Sequence, residues 1–327
     1  MEYTLLGKTG TRVSRICLGT MLFGWLVKED EAMSIIKKAI DLGVNFFDTA
    51  NTYGGGRSEE VLGAALKDCR EDVIIATKVF WSPQKPGGSG LARSFVFKEL
   101  GDSLRRLQTD YIDIYYAHRL DPAISLENVL RTLNIAINDG RVRHIGASTM
   151  FAWEFTKSLW VANTHRLEPF QVMQPHYNLL YREEEREMLP LCKDQRIAVV
   201  PWGPLARGVL TGKYSPGRTP DTPRARDPEM QHWYLRPQDF AIVERVVEVA
   251  KEKGVSPAQI ALAWLLSREE ITAPIVGVTR IEHLEEAVAV FEIKLSEEDK
   301  AYLEELYAPR HLIGHYGGKP MPGDLQE

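Results

Sequence analysis

The chain has 327 residues, of which 44% are hydrophobic and 26% are charged, and these proportions suit one large α/β domain or two ordinary ones. The formal net charge of −5 argues against a nucleic acid or an anionic membrane surface as a partner. No apolar run approaches the roughly 18 residues needed to cross a membrane, so we expect no membrane-spanning segment.

The first predicted element is a β-hairpin over YTLLGKTGTRVSRICLG, in which two glycines provide the turn before a short strand. Apolar strands then alternate with helices along the rest of the chain. The helices have 3.6-residue periodicity and recognisable ends, with Ser58 and Ser125 as N-caps and Gly43 and Gly140 as stops. The further strands, in chain order, are VNFFDT, DVIIATKV, YIDIYYAH, VRHIGAS, FQVMQ, IAVVPW and APIVGV.

This alternation of about eight strands with helices predicts a (β/α)8 TIM barrel that occupies residues 1–327 as a single domain. The strands are continuous apolar runs, as is typical of parallel strands buried on both faces. A long irregular stretch, Gly203–Pro237, follows the seventh strand, and loops of this length commonly have a function. A doubly wound sheet is the structural alternative. However, no GxGxxG follows the first strand, and RGVLTGKY has Arg207 where a P-loop needs its first glycine.

Four side chains that can handle protons come at or just after the ends of neighbouring predicted strands. Asp48 closes the second barrel strand, Lys78 ends the third, His118 ends the fourth, and Tyr53 lies in the loop after the second. Because the chemistry of such barrels takes place at the C-terminal ends of their strands, we expect these residues to converge. Each alone has a structural explanation, such as loop capping or packing, but together they predict an active site.

The chemistry of this group suits the reduction of a carbonyl. A phenol has a pKa of about 10 and is a poor acid at neutral pH unless a neighbouring charge stabilises the phenolate, as an ammonium does. A carboxylate paired with the ammonium keeps it charged, and an imidazole beside the phenol can direct a carbonyl oxygen. The group contains no serine or cysteine nucleophile and no metal cluster, so a nicotinamide is the expected source of hydride.

At these residues the sequence resembles the aldo-keto reductases. FFDTANTYGGGRSEEVLG is similar to the family's second-strand signature, with Asp48 and Tyr53 in the catalytic positions, while IIATKV supplies Lys78 and DIYYAHRLDP supplies His118. Four further segments resemble the family in the same order: RVRHIGAS, QPHYNLLYREEE, PWGPLARGVLTGKY and APIVGVTRIEHLEEA. The resemblance implies that Tyr53 is the general acid, that Asp48 and Lys78 tune it, and that His118 orients the substrate carbonyl.

The resemblance also implies NADP(H) as the cofactor. Around the nicotinamide it implies contacts with Gly19, Thr20, Met21, Ser148, Gln174 and Trp202, of which Ser148 and Gln174 hold the carboxamide and Trp202 stacks on the ring. Along the phosphates and the adenosine it implies contacts with Gly203, Leu205, Lys213, Arg224, Thr279, Arg280, His283 and Glu286. Among these, Thr279 and Arg280 begin the last barrel helix, where a helix N-terminus and a guanidinium together suit a 2′-phosphate.

Three positions depart from the family's usual pattern. Thr149 follows Ser148 where many members have asparagine, and this difference affects one expected contact to the nicotinamide carboxamide. His283 and Ala287 replace a common glutamine and a common asparagine, which concerns the contacts to adenine. None of the three bears on the 2′-phosphate.

Two alternatives remain beside an NADPH-dependent reductase of small-molecule carbonyls. The sequence is also similar to the β subunits of voltage-gated potassium channels, which share the fold and bind NADPH as docking subunits, but these typically carry asparagine where this chain has His118. The enzyme could also act as an alcohol or sugar dehydrogenase with the same site. Phe80, Trp81, the rest of WSPQKPGGSG and the C-terminal HLIGHYGG are expected to wall the substrate pocket and to admit aromatic or sugar-derived carbonyls.

The cysteines and the N-terminus favour a cytoplasmic protein, with a monomer as the default. Cys17, Cys69 and Cys192 lie far apart and form no CxxC pair, so neither a zinc site nor a disulfide framework is predicted. The N-terminal MEYTLLGKTG lacks the basic-then-apolar order of a signal peptide.

Overall fold

The computed structural model describes residues 1–82, 90–221, 225–226, 230 and 233–313. The predicted N-terminal hairpin is present: β1 (Tyr3–Leu5) pairs in antiparallel fashion with β2 (Arg12–Ser14). Leu6 and Val13 of this hairpin are fully buried and pack with the side chains that fill the barrel interior. The hairpin therefore covers the N-terminal ends of the barrel strands, opposite the end that the predicted site occupies.

Eight parallel strands form the barrel. They are β3 (Cys17–Gly19), β4 (Phe46–Asp48), β5 (Ile74–Val79), β6 (Ile112–Ala117), β7 (Val142–Ser148), β8 (Val172–Gln174), β9 (Ala198–Val199) and β10 (Ile275–Gly277). They pair in chain order from β3 to β9, and β10 pairs with β3. Between β9 and β10, Val199 bridges to Ile271, and the Ile275 amide donates to the Pro201 carbonyl oxygen at 2.9 Å. These contacts close the sheet and confirm the predicted (β/α)8 barrel.

Helices surround the strands and bury one face against them. They are α1 (Glu29–Asp41), α2 (Arg57–Leu66), α3 (Arg93–Arg106), α4 (Leu126–Asn138), α5 (Ala152–His165), α6 (Met188–Gln195), α7 (Pro237–Lys253), α8 (Pro257–Leu266), α9 (Ile281–Val288) and α10 (Glu297–Glu304). The spacing of Val129, Leu133 and Ala136 in α4 shows the reason, because residues three and four apart share one helix face. Within the described residues, no helix combines the length and the apolar composition that crossing a membrane requires.

Three of the four predicted helix ends are confirmed. The Ser125 side chain caps α4 by accepting a hydrogen bond from the Asn128 amide at 3.3 Å. Gly43 and Gly140 follow α1 and α4 with φ of +83° and +75°, a left-handed conformation that ends a helix at little cost for glycine.

The prediction that Ser58 caps α2 is wrong. The helix begins at Arg57, and Ser58 is fully buried within its first turn. Its hydroxyl donates to the Thr20 carbonyl oxygen at 2.8 Å and lies 2.8 Å from the Thr49 hydroxyl oxygen. These partners, which directly follow β3 and β4, replace the local capping bond, so Ser58 joins the helix to the strand ends.

The long connection predicted after the seventh strand is also present, between β9 and α7. It contains a short 3₁₀ segment, Ala206–Thr211, in a stretch that the sequence predicts to be irregular. Tyr214 and Tyr234 are buried, so the described parts of this connection pack against the barrel.

Candidate active site

The ends of β4 and β5 place an acid and a phenol beside one lysine. Asp48 is the last residue of β4, and Lys78 lies in the neighbouring strand β5. The Lys78 ammonium donates to Asp48 Oδ1 at 2.5 Å, to the Thr49 carbonyl oxygen at 2.8 Å and to Tyr53 Oη at 3.2 Å. An ammonium has three protons, and here each of them has an acceptor.

Tyr53 reaches this position because the chain reverses directly after it. Gly54, Gly55 and Gly56 all have positive φ, of +56°, +67° and +102°, and glycine adopts such conformations without steric cost. A Cβ on Gly54 would lie 3.3 Å from the Phe23 carbonyl oxygen, so this turn also packs closely against the loop after β3. The YGGG sequence thus turns the phenol back over the strand ends.

Lys78 and Asp48 form a buried ion pair, with 0% and 3% of their surfaces exposed. Burial disfavours the charge on Lys78, but the Asp48 carboxylate and the Tyr53 phenol outweigh this effect and raise the pKa of Lys78 above its ordinary value. Burial also raises the pKa of Asp48, although Lys78 and Gln174 oppose that rise. The result is a positive charge held 3.2 Å from the phenol oxygen of Tyr53.

His118 follows β6 and is held beside Tyr53. The two rings stand edge-on, with centroids 6.1 Å apart and an angle of 84°, and Trp81 contacts the other side of the site with its centroid 4.8 Å from that of His118. The Nδ1 atom of His118 is buried and has no hydrogen-bond partner among the described residues. Burial, and then the charges of Arg119 and Lys78, lower the pKa of His118 well below its ordinary value, so the ring is neutral at physiological pH.

Gln174 and Ser148 lie in the same cluster, and the side chain of Gln174 orients Asp48. The side-chain amide nitrogen of Gln174 donates to Asp48 Oδ2 at 2.8 Å, and the Ser148 hydroxyl donates to the backbone carbonyl oxygen of Gln174 at 3.0 Å. Both carboxylate oxygens of Asp48 therefore accept a hydrogen bond. The contact of Gln174 and Ser148 with a carboxamide stays a prediction.

Trp202 lies just beyond β9, and its indole nitrogen donates to Thr149 Oγ1 at 3.0 Å. The His176 ring is stacked on the indole, with centroids 4.1 Å apart and an angle of 8°, and the Tyr181 ring is stacked on His176 at 4.2 Å and 14°. The sequence predicts a role for Trp202, whereas the positions of His176 and Tyr181 emerge only from the structure. The sequence feature that indicates these two residues is the series of rings in QPHYNLLY, directly after β8.

The three residues predicted at the end of the first barrel strand have different environments. A Cβ on Gly19 would lie 2.6 Å from Ile275 Cγ2, so the close approach of β3 to β10 requires glycine. Thr20 is fully buried, and its hydroxyl donates to the Asp48 carbonyl oxygen at 3.1 Å. Of the three, Met21 is exposed.

A group of positive charges lies at the start of α9. Lys213, from the connection after β9, and Arg280, the residue before α9, are exposed and form no ion pair within the described part of the chain. Burial lowers the pKa of His283, and the nearby Lys213 and Arg280 charges lower it further, while Glu286 opposes them. The Thr279 hydroxyl lies 3.4 Å from His283 Nδ1. Together with the N-terminus of a helix, this group suits an anion.

The remaining predicted residues are only partly placed. Gly203 and Leu205 lead from Trp202 into the 3₁₀ segment, and the Gly203 carbonyl oxygen accepts a hydrogen bond from Asn178 at 2.8 Å. Phe80 packs edge-on against Trp81, with centroids 5.1 Å apart, at the border of the site. Arg224, positions 83–89 of WSPQKPGGSG and positions 314–318 of HLIGHYGG lie outside the described residues.

Comparison with known proteins agrees with this geometry. The sequence profile described as the Aldo/keto reductase family matches residues 15–308. A Schizosaccharomyces pombe protein named as an aryl-alcohol dehydrogenase is 39% identical, over 95% of this chain and 97% of its own length. Versiconal hemiacetal acetate reductase of Aspergillus parasiticus is 38% identical, over 95% and 98%. A protein of Oryza sativa subsp. japonica named as a voltage-gated potassium channel β subunit is 36% identical, over 90% and 92%.

The profile covers the barrel from before β3 to beyond α10, and these relatives align along nearly their whole length. This chain therefore belongs to the aldo/keto reductase family and is an oxidoreductase.

Proposed function

We propose that this protein reduces aldehydes and ketones to alcohols with NADPH, reversibly, and that Tyr53 is the general acid. The observation that supports this best is the Lys78 ammonium, which lies 3.2 Å from Tyr53 Oη and 2.5 Å from Asp48 Oδ1. A proton donor beside a fixed positive charge suits an oxygen that gains negative charge in the transition state.

In this proposal the bound cofactor supplies the hydride, and the chain supplies the proton and the orientation. Tyr53 gives its proton to the carbonyl oxygen, and Lys78 stabilises the phenolate that forms. Asp48, oriented by Gln174, keeps the ammonium in place. His118 is neutral and offers a ring N–H to the same carbonyl oxygen. In the reverse direction, the phenolate accepts the proton of the alcohol.

The residues present fit NADP(H) at both of its ends. Trp202 is partly exposed, and an aromatic ring that is not fully buried suits stacking against a nicotinamide. Lys213 and Arg280 provide charge at the start of α9, which suits the 2′-phosphate that distinguishes NADPH from NADH. No carboxylate stands between β10 and Arg280, where an NADH-selective site would more often place one.

The test is an assay of carbonyls and alcohols with each cofactor, in which nicotinamide absorbance reports turnover. The panel contains aromatic aldehydes, aliphatic ketones, sugar-derived carbonyls and the corresponding alcohols and polyols. We expect reduction with NADPH, and aromatic aldehydes among the substrates because Phe80 and Trp81 border the site. Absence of turnover for every compound with either cofactor would contradict the proposal.

Two other functions share this site. The similarity to the rice protein named as a channel β subunit favours a docking subunit that binds NADPH. His118 favours an enzyme, because channel β subunits typically carry asparagine at this position. The name of the Schizosaccharomyces pombe relative favours alcohol oxidation as the working direction. Tight NADPH binding without turnover would indicate the docking subunit, and a higher kcat/KM for alcohols than for carbonyls would indicate the dehydrogenase.

We also propose that the protein works in the cytoplasm as a monomer. Cys17, Cys69 and Cys192 are free thiols, as is usual in a reducing compartment. Light scattering of the purified protein tests the oligomeric state.

A further inference from the structure

Three rings form a column that ends at Trp202. The Tyr181 and Trp202 rings are both nearly parallel to the His176 imidazole and about one stacking distance from it, at 4.2 Å and 4.1 Å, so they lie on opposite faces of it. Tyr181 and His176 are fully buried, whereas Trp202 is partly exposed. The column therefore begins in the core and ends with the indole at the site.

Trp233 stands beside this column and does not lie on its end. Its centroid is 6.0 Å from that of His176 and 5.9 Å from that of Trp202. A ring on the outer face of Trp202 would be farther from His176 by about one stacking distance. Trp233 therefore supports the column from the side, with the Arg207 guanidinium 4.3 Å above its own ring.

Hydrogen bonds in the plane of the imidazole hold His176. Its Nε2 atom lies 2.6 Å from Tyr234 Oη and 3.3 Å from Asn178 Nδ2. Because Asn178 Oδ1 accepts from the Leu180 amide at 2.9 Å, the atom that faces His176 is the amide nitrogen, which can only donate. The geometry therefore assigns Nε2 as an acceptor and the Tyr234 hydroxyl as its donor. Stacking alone would let the imidazole rotate in its plane, and these bonds prevent that rotation.

The same hydrogen bonds join the column to the connection after β9. Tyr234 belongs to that connection, and Leu235 after it has φ of +73°, a left-handed conformation that is strained for a leucine. Asn178 also donates to the carbonyl oxygen of Gly203, the residue that follows Trp202. The backbone beside Trp202 and the ring behind it are thus held by one amide and one phenol.

We propose that His176 is a positioning residue that acts through Trp202: Tyr234 and Asn178 hold its imidazole, and the stacked imidazole sets the plane of the indole on which the nicotinamide lies. The proposal rests on the proposed function, because it takes the indole to be the surface for the nicotinamide. It adds that Tyr234, from the connection after β9, controls the orientation of the cofactor's reactive ring without contacting it.

The decisive variant is Tyr234→Phe, which removes the hydrogen bond to His176 but keeps the ring. Calorimetric titration would measure binding of NADPH and of 2′,5′-ADP, which carries the 2′-phosphate but has no nicotinamide. We expect the Kd for NADPH to rise about 3- to 10-fold, the range of one buried hydrogen bond, and the Kd for 2′,5′-ADP to change less than about 2-fold. The near-ultraviolet circular dichroism of the free protein should also weaken, because Trp202 is less ordered.

Two further variants complete the test. His176→Gln keeps an acceptor but removes the stacked ring, and we expect the same selective loss of NADPH affinity. Tyr302→Phe makes the same change as Tyr234→Phe on α10, where the hydroxyl bonds Glu248 at 2.5 Å, and should leave both ligands unaffected. If His176→Gln does not fold, Tyr234→Phe still decides the question.

An equal loss of affinity for both ligands in Tyr234→Phe would overturn the proposal, since it would show a general structural role. Unchanged affinity for both ligands would overturn it as well. Failure of the parent protein to bind NADPH would contradict the proposed function itself, and the role of His176 would fall with it.

Discussion

At the scale of single residues, the Lys78 ammonium decides what Tyr53 can do. It is fully buried, it bonds the phenol, and its charge is kept by a carboxylate whose second oxygen is held by Gln174. Without the ammonium, a phenolate formed there would have no positive charge beside it to stabilise it. In the proposed mechanism, the reaction direction that depends most on the phenolate is the oxidation of alcohols, since the phenolate is then the base.

Replacement of Lys78 by methionine should therefore impair alcohol oxidation most. We expect the rate near pH 7 to fall about 10²-fold or more, the range of a lost acid–base contribution, and the rising limb of the pH profile to move to higher pH. Steady-state alcohol oxidation from pH 6 to 10 measures this. Asp48→Asn should act in the same direction but more weakly, because it removes only the partner of the charge.

Lys78→Met leaves Asp48 buried without its partner, which can itself destabilise the protein by about 3–5 kcal/mol. The double variant Lys78→Met/Asp48→Asn removes both charges and provides the folded reference. A pH profile of the double variant that coincides with that of the parent would show that Lys78 does not tune Tyr53.

The residues that could be predicted from the sequence are those whose position follows from a single strand. Asp48, Lys78 and His118 each end an apolar run, so the barrel alone brings them together. The bond from Gln174 to Asp48 and the stacking of His176 on Trp202 depend on distances between strands that no local pattern encodes. The Ser58 prediction failed for the same reason, because partners just after β3 and β4 replaced a local cap.

At the scale of elements, the start of α9 determines how a phosphate would be held. Arg280 immediately precedes this helix, and Lys213 is brought to it by the connection after β9. Both charges act on His283 near the start of this helix, and a guanidinium can donate two parallel hydrogen bonds to a phosphate. The preference for NADPH over NADH should therefore depend on Arg280.

The variant Arg280→Ala should lose most of that preference. A charge-assisted contact of this kind is worth roughly 1.5–3 kcal/mol, or about 10- to 150-fold in affinity. The affinity for NADPH should therefore fall by such a factor, while the affinity for NADH changes little. Titration of the tryptophan fluorescence with each cofactor measures both affinities. Lys8→Ala removes one exposed charge from the hairpin at the opposite end of the barrel and should affect neither cofactor. An equal loss for both cofactors in Arg280→Ala would rule out a contact with the 2′-phosphate.

At the scale of the whole molecule, the chain after α10 is bound to the segment before α6 by the buried Glu183. Glu183 accepts hydrogen bonds from the Tyr307 hydroxyl at 2.6 Å and from the Arg310 amide at 2.8 Å. Burial, and then the neighbouring Glu183 carboxylate, raise the pKa of Glu184 to about 8. Glu184 therefore keeps its proton in the folded protein at neutral pH. In the unfolded chain, the carboxyl group loses this proton near its ordinary pKa of 4.5.

This difference predicts how stability depends on pH. Below about pH 4.5 both states hold the proton, and between there and about pH 8 only the folded state does, so stability falls as pH rises, by at most about 5 kcal/mol. Glu184→Gln should remove this contribution and make the protein more stable than the parent at pH 8. Urea unfolding at pH 5, 6.5 and 8 measures the free energy of unfolding.

The control for this prediction is Glu298→Gln, the same change at an exposed position of α10, which should leave the pH dependence as it is in the parent. Parallel stability curves for Glu184→Gln and the parent would show that Glu184 is ionised in the folded protein.

The role of Tyr53 as the proton donor is tested most directly by single-turnover reduction with Tyr53→Phe. The protein is loaded with NADPH and mixed with an aldehyde that the parent reduces, and nicotinamide absorbance is followed. Because the ring remains but has no proton to give, we expect hydride transfer to slow by about 10²–10⁴-fold. The Kd for NADPH should stay within a few fold of the parent value. Reduction by Tyr53→Phe at nearly the parent rate would contradict the proposed mechanism.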